Sequence, residues 1–316
     1  MDITWLEDFI ALAHHRNFSR AAEARTVTQP AFSRRIRALE QWVGTQLCDR
    51  STHSIKLTKA GLVFHAAAEE SLRMLGDAKT LANEEAGNSE PMLRFAATHS
   101  LALAYFPNWV RSISKSIDLG SRIHLFADST LGCEQMMITG QAQAFLAHTH
   151  PALASNLPHP QFRSVCIGLD ELIPVSAPTT SNRPLFNLAA KGDKPIDYLS
   201  YGEPSGLGGI LKLAHEQRQG QTRLRPVFTS HMASVLAKVA REKKGLAWLP
   251  KSLIEEELRN RSLVLAGPAS WNVALEIRVF RPRSRQGKSF ESFWRLISKT
   301  AKSDSLTVGR NRSGDR

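Results

Sequence analysis

The chain has 316 residues, 42% of them hydrophobic, and its 41 Lys and Arg against 29 Asp and Glu give a net charge of +12. That length normally divides into two or three compact units with cores of their own. No charged-then-apolar leader opens it, no run approaches the ~18 apolar residues of a membrane span, and the three widely spaced cysteines exclude a secreted disulfide framework.

The first element is an amphipathic helix in which Trp5, Phe9, Leu12 and Ala13 recur at helical spacing. Residues 18–40, FSRAAEARTVTQPAFSRRIRALE, then read as two short helices joined by a tight turn. Ser19 is placed to cap the first, Ala21, Ala22 and Ala24 are strong helix formers, and the β-branched Thr26 and Val27 interrupt the run. Thr28 is placed to cap the second, with Pro30 in its first turn, where a missing N–H costs nothing. Phe32, Ile36, Leu39 and Val43 fall on the inner side of that helix, and Gln29, Ser33, Arg34 and Arg37 mostly on the other. An α-helix fits the major groove of B-DNA, where Arg and Gln make bidentate contacts to base edges and Ser serves bases or phosphates. A solvated basic helix in an ordinary bundle is the competing reading.

The stretch from Arg50 to Leu57 is short and polar and suits a β-wing that brings Arg50 and His53 to the sugar-phosphate backbone. Charge agrees with this. Residues 1–86 hold eleven basic and eleven acidic side chains, yet residues 14–61 hold nine basic and three acidic, so the excess sits on the helix pair and wing. Thr58 then caps a long helix running to about Ala86, with Leu62, Leu72, Leu75 and Leu81 along it. Leaving such a stripe in water costs about 25 cal/mol per Å², so it reads as a dimerisation face.

The sequence GNSEP at 87–91 breaks that helix. Beyond it, strands are expected at 92–97, 122–126, 143–147, 165–174, 195–201, 225–229, 245–249 and 274–280, alternating with helices such as 100–114 and 210–217. This alternation implies a parallel or mixed sheet covered on both faces. The glycines of GEPSGLGGIL (Gly202, Gly206, Gly208 and Gly209) read as a flexible turn and do not fit G-x-G-x-x-G. No P-loop, G-x-S-x-G or H-E-x-x-H motif occurs, and the eleven histidines show no ligand spacing with the cysteines. Neither an enzyme, a cofactor nor a metal is therefore expected. Residues 281–316 carry ten basic and three acidic side chains. From Ser303 they lack apolar periodicity, as in a disordered basic tail that can add non-specific DNA affinity.

Residues 1 to about 90, above all FSRAAEARTVTQPAFSRRIRALEQWVGTQLCDR, resemble the winged helix-turn-helix and linker helix of LysR-type transcriptional regulators, and the chain has that family's length. FAATHSLALAYFP and SHMASVLAKVAREKKGLAWLP resemble the sensor half of its hypochlorite-responsive branch. The resemblance implies an α/β protein with a winged helix-turn-helix domain (1–58), a linker and dimerisation helix with hinge (59–90), and a two-subdomain, periplasmic-binding-protein-like effector domain (91–302). Subdomain I would comprise 91–162 and 267–302, subdomain II 163–266, with the basic tail at 303–316. Implied partners are double-stranded promoter DNA, a small-molecule or oxidant effector, further copies forming a homodimer and then a homotetramer, and RNA polymerase. The implied location is cytoplasmic, on the nucleoid, with no membrane partner. A non-sensing architectural DNA binder is the alternative, against which the large C-terminal half argues.

In that architecture ligands occupy a cleft at the carboxyl ends of strands, near helix N-termini. Thr98, His99 and Ser100 follow the first strand, Ser129 and Thr130 the second, His148 and Thr149 the third. Across the cleft stand Tyr201 and Gly202, then Thr229, Ser230 and His231. Together they are expected to hold a small polar or anionic effector or an oxidant, with helix capping as the competing role of residues 98–100. Met232 matches a methionine of the branch motif and is a candidate for oxidation, against core packing as the commoner role. Cys133 and Cys166 are candidates for redox thiols, against buried structural cysteine as the commoner role.

Overall fold

The computed structural model describes the chain outside residues 1, 50–54, 88–91, 115–121, 152, 154–156, 158–160, 190–193, 204, 217–223 and 312–316. Two compact units emerge, Met1–Ala86 with Ile138–Gln141, and Gly87–Met137 with Ala142–Arg316.

In the first unit α1 (Ile3–His15), α2 (Phe18–Ala24) and α3 (Gln29–Val43) precede a two-stranded antiparallel wing, β1 (Cys48–Asp49) and β2 (Lys56–Leu57), and the long α4 (Lys59–Glu85). Phe9, Leu12, Ala21, Phe32, Ile36, Leu39 and Leu47 close its core. Asn17, not Ser19, caps α2. Its side-chain oxygen accepts the N–H groups of Ser19 and Arg20 at 2.9 and 3.1 Å, whereas Ser19 already lies within the first turn. Thr28 holds the N-cap position of α3 without a side-chain hydrogen bond, followed by Pro30 in the first turn. Thr58 does cap α4, its hydroxyl accepting from the Gly61 N–H at 2.9 Å and donating to the Gln46 carbonyl at 2.8 Å. Gly61 is required there, because a Cβ would stand 2.0 Å from the Leu47 carbonyl oxygen. Glu40 anchors the wing by accepting the N–H groups of Leu47 and Cys48. Along α4, Leu62, Val63, Met74 and Leu75 are exposed, whereas Leu72 is buried in the core rather than part of the stripe; the Leu81 side chain lies outside the described residues.

The second unit runs β3 (Met92–Thr98), α5 (His99–Ala104), α6 (Phe106–Ser114), β4 (Arg122–Asp128), α7 (Thr130–Ile138), β5 (Ala144–Thr149), β6 (Phe162–Ser176), β7 (Ile196–Tyr201), α8 (Gly206–Glu216), β8 (Leu224–Ser230), α9 (Ala233–Arg241), β9 (Ala247–Pro250), a 3-10 turn (Lys251–Leu253), α10 (Glu255–Arg259), β10 (Val264–Leu265), β11 (Val273–Pro282) and α11 (Lys288–Asn311). The main sheet has the order β10-β6-β11-β5-β3-β4 with β9 also on β6, while β7 and β8 form a parallel pair of their own. β6 carries the chain from one lobe to the other: its first part pairs with β11, and its last residues pair with β9 and β10. One lobe is filled by Phe95, Phe106, Trp109, Phe293 and Ile297, the other by Leu199, Leu236, Ala247 and Leu249. The two lobes therefore share one curled sheet.

Three expectations change here. The helix expected over 100–114 breaks at Tyr105, because Pro107 has no N–H to continue the ladder. The glycine-rich segment is not a flexible turn, since α8 already begins at Gly206. A Cβ on Gly206 would sit 2.4 Å from the Thr130 hydroxyl, and one on Gly208 2.8 Å from Tyr201 Cβ, so these glycines permit close packing. Finally, α11 continues to Asn311, through most of the stretch expected to lack regular structure.

Candidate functional site

Two faces carry chemistry. On α3, Gln29, Arg34 and Arg37 are exposed and Ser33 is half-buried, while Thr28 and Pro30 at its start and Ser19 on α2 are exposed beside them. The neighbouring arginines are committed elsewhere. Arg25 and Arg35 both bind the fully buried Asp8, at 2.9 and 3.3 Å, and Arg25 also pairs with Glu7. The acids of α1 thus sort the arginine cluster, tying two to the core and leaving Arg34 and Arg37 without an acidic partner among the described residues. Arg50 and His53, expected at the wing tip, lie outside the described residues.

In the second unit, Thr98, His99, Ser100, Ser129, Thr130, His148, His231 and Met232 line one cleft with Asp128, Ser205, Gly206, Leu207 and Ala233. Its volume is about 40 Å³, room for an ion or roughly three waters. His99, Thr130, Gly206 and Ala233 are the first residues of α5, α7, α8 and α9, so four helix N-termini meet there. Each presents amide groups and a partial positive charge. Ser129 caps α7 through its hydroxyl, which accepts from the Gly132 N–H at 3.1 Å, and Ser205 accepts likewise from Gly208 at 3.2 Å. The His99 and His231 rings stand 6.3 Å apart.

His148 is the most constrained of the three histidines. Its Nε2 lies 2.9 Å from Asp170 Oδ2 in buried surroundings, and the same carboxylate accepts the Ser252 hydroxyl at 2.6 Å and the N–H groups of Ser252 and Glu171. Burial alone would raise the Asp170 pKa, but the hydrogen bonds from His148 and Ser252 hold it below the usual carboxylate value. Nδ1 of His148 and the hydroxyl of Thr98 are buried without a hydrogen-bond partner.

The other expected positions are apart from this cleft. Thr149 lines an adjoining cavity of about 280 Å³ with Leu131, Phe145 and Phe280. Tyr201 and Gly202 line a third one, and the Tyr201 hydroxyl donates to the Trp248 carbonyl at 2.9 Å. Thr229 is exposed and shares a 2.7 Å hydrogen bond with Ser200, and Ser230 accepts from the Met232 N–H. Burial pushes the Cys133 thiol up to about 12, which excludes a thiolate at neutral pH. Among the described residues no cluster of three or more His, Cys, Asp or Glu could hold a metal ion, and no helix is long and apolar enough to cross a membrane. Asp128, Ser205, Gly206, Leu207 and Ala233 were not foreseen. Asp128 ends a strand just before Ser129 and could have been read from that position, but the others come from the far lobe and depend on where α8 and α9 begin.

Residues 3–62 match the bacterial regulatory helix-turn-helix protein family, lysR type, and residues 86–302 match the LysR substrate binding domain. The chain is 29% identical over 306 residues to the HTH-type transcriptional regulator YjiE of Escherichia coli K12, covering 94% of each. Among solved structures it resembles full-length HypT, the hypochlorite-specific LysR-type regulator of Salmonella typhimurium, with TM-score 0.57 and 28% identity over 96% of this chain and 99% of that one. It also resembles DarR of Vibrio fischeri in complex with DNA, with TM-score 0.55 and 31% identity over 94% and 98%.

Proposed function

The chain belongs to the LysR family of bacterial regulatory proteins, and we propose that this member responds to a small anion or oxidant held between its two effector-domain lobes. It is a DNA-binding transcriptional regulator with a C-terminal effector-binding domain. In our reading Gln29, Ser33, Arg34 and Arg37 meet base edges, Ser19, Thr28 and the wing meet phosphates, and α4 pairs two subunits through its exposed apolar face. Dimers then pair into a tetramer. The relatives are regulators, and we read this chain as a regulator and not as an enzyme.

The observation that carries the effector reading is the meeting of four helix N-termini with two buried, unsatisfied polar atoms, Thr98 Oγ1 and His148 Nδ1. Leaving each atom unpaired costs about 1–3 kcal/mol, which a bound ion would recover. An anion spanning β3, β5, α8 and α9 would favour closure of the lobes, and closure would alter the spacing of paired DNA-reading heads. Met232 lines the same cleft, half-buried at the start of α9. Similarity to a hypochlorite-specific regulator supports a second reading, oxidation of that thioether after the oxidant has been captured.

Crystals soaked in sodium bromide test the site directly. The expected result is anomalous density within hydrogen-bonding distance of Thr98 Oγ1 and His148 Nδ1, weakened in Thr98→Val. Density only at the surface would refute the anion site, and a mass increase on Met232 after hypochlorite without bromide binding would favour the second reading.

A further inference from the structure

The cleft lacks the fixed charge that its helix termini would lead one to expect. Among the described residues lining it there is no Lys or Arg. Asp128 lines it, and Asp170 stands directly behind His148. Helix N-termini supply about half a charge each at most, so a whole anion placed there also meets two carboxylates. Among these described residues only the imidazoles can provide a full positive charge.

Geometry distinguishes among the three. His231 is exposed and His99 half-buried, so water can solvate either ring. The His148 side chain is 2% exposed, with Nε2 fixed on Asp170 and Nδ1 unpartnered. Asp170 already accepts from Ser252 and from the Glu171 N–H, which leaves it acting as an acceptor toward His148, with the Nε2 hydrogen donated to it. The state of Nδ1 therefore decides the charge of the ring. With the cleft empty, an Nδ1–H would be a buried cationic donor with nothing to bond, which favours the neutral ring. With an anion present, a bare Nδ1 lone pair would face negative charge, whereas an Nδ1–H would donate to the anion while Asp170 compensates the ring from behind.

The other charged groups around His148 do not supply a cation. Glu134 and His150 line the adjoining cavity that the ring also borders. The β11 residue in register with it is Ile277, flanked by Glu276 and Arg278, which pair with each other at 2.7 Å. Lys251, next to Ser252, is exposed.

We propose that the cleft takes up its anion together with one proton, which is held on Nδ1 of His148. This rests on the anion reading given above. The proton comes from solvent, or from the ligand itself when it arrives as a weak acid such as a carboxylic acid or an oxyacid, and no other bond forms or breaks. The class of ligand is thereby narrowed to small monoanions and their conjugate acids. A dianion such as sulfate would leave one charge uncompensated beside Asp128 and Asp170. Asp170 and Ser252 are positioning residues that set the ring for this exchange.

The test is calorimetric titration of the full-length protein with sodium bromide, an anion that takes up no proton itself, in two buffers of different ionisation enthalpy. The expected result is net proton absorption on bromide binding, and affinity falling by up to tenfold per pH unit as pH rises through the range where uptake is seen. His148→Gln should bind with no proton uptake and a flat pH profile, with its thermal melt as the check on folding. The ¹⁵N shift of the His148 ring in the unmodified protein, moving to the doubly protonated position on bromide addition, gives a reading that needs no variant. Bromide binding without proton uptake, uptake retained in His148→Gln, or sulfate binding as tightly as bromide would each overturn the proposal. Absence of bromide binding at every pH would instead refute the anion site on which it rests.

Discussion

At the scale of single residues, the arginines of the first unit divide by their partners and not by their sequence neighbourhood. Arg34 and Arg35 are adjacent on α3, yet Arg35 reaches back to the buried Asp8 while Arg34 is exposed. Arg34→Ala is therefore expected to relax operator discrimination by about 1–3 kcal/mol with the melting temperature unchanged. Arg35→Ala should leave Asp8 paired with Arg25 alone and lower stability by about 1–3 kcal/mol. Parallel thermal melts and gel shifts on a selected duplex separate the two, and equal effects of both substitutions on discrimination would contradict the assignment. The sequence made the exposed side of α3 legible through its period. It did not show which arginines were neutralised, because Asp8 is a long-range partner from α1.

At the scale of elements, the long helix α4 carries a titratable device. Glu69 is buried on α4, and burial raises its pKa to about 7, while the His65 pKa is lowered by the same cause; the two lie 3.6 Å apart. In the unfolded chain a glutamate titrates near 4.3. The folded protein therefore holds an extra proton between about pH 4.5 and pH 7, and the contribution of Glu69 to stability falls as pH rises through that window. His65 acts in the opposite sense, adding stability as pH rises toward its unfolded value. Glu69→Gln should raise stability at pH 8 by on the order of 1 kcal/mol and flatten the loss between pH 4.5 and pH 7. Melting temperatures across that range check this, and an unchanged slope would count against a buried neutral Glu69. Elements themselves were well predicted where a period was long, as in α3, α4 and β3. The glycine-rich start of α8 was not, because glycine has low intrinsic helix propensity and its value there lies in Thr130 and Tyr201 approaching from other strands and helices. The Asn17 cap was missed for a simpler reason, since Ser19 two residues later offered an equally suitable side chain.

At the scale of the whole molecule, the proposed function couples the exposed side chains of α3 to a cleft in the effector domain defined by strand ends and helix starts. Much of that cleft was legible, because strand ends mark ligand sites in open α/β sheets, and Thr98, Ser129, Thr130, His148 and His231 do come together. What could not be read was which strand-end residues turn away, as Tyr201 does toward Trp248, and that Asp170 supports His148 from a different strand. Under the proposed function, occupancy of the cleft controls DNA binding. The most direct measurement is the dissociation constant for a duplex selected from a random-sequence pool, taken with and without bromide at constant ionic strength, for the natural protein and for Thr98→Val. The expected result is a bromide-dependent change in affinity or footprint of about fivefold or more that Thr98→Val abolishes while its DNA binding without bromide is retained. An identical bromide response in both proteins would contradict it.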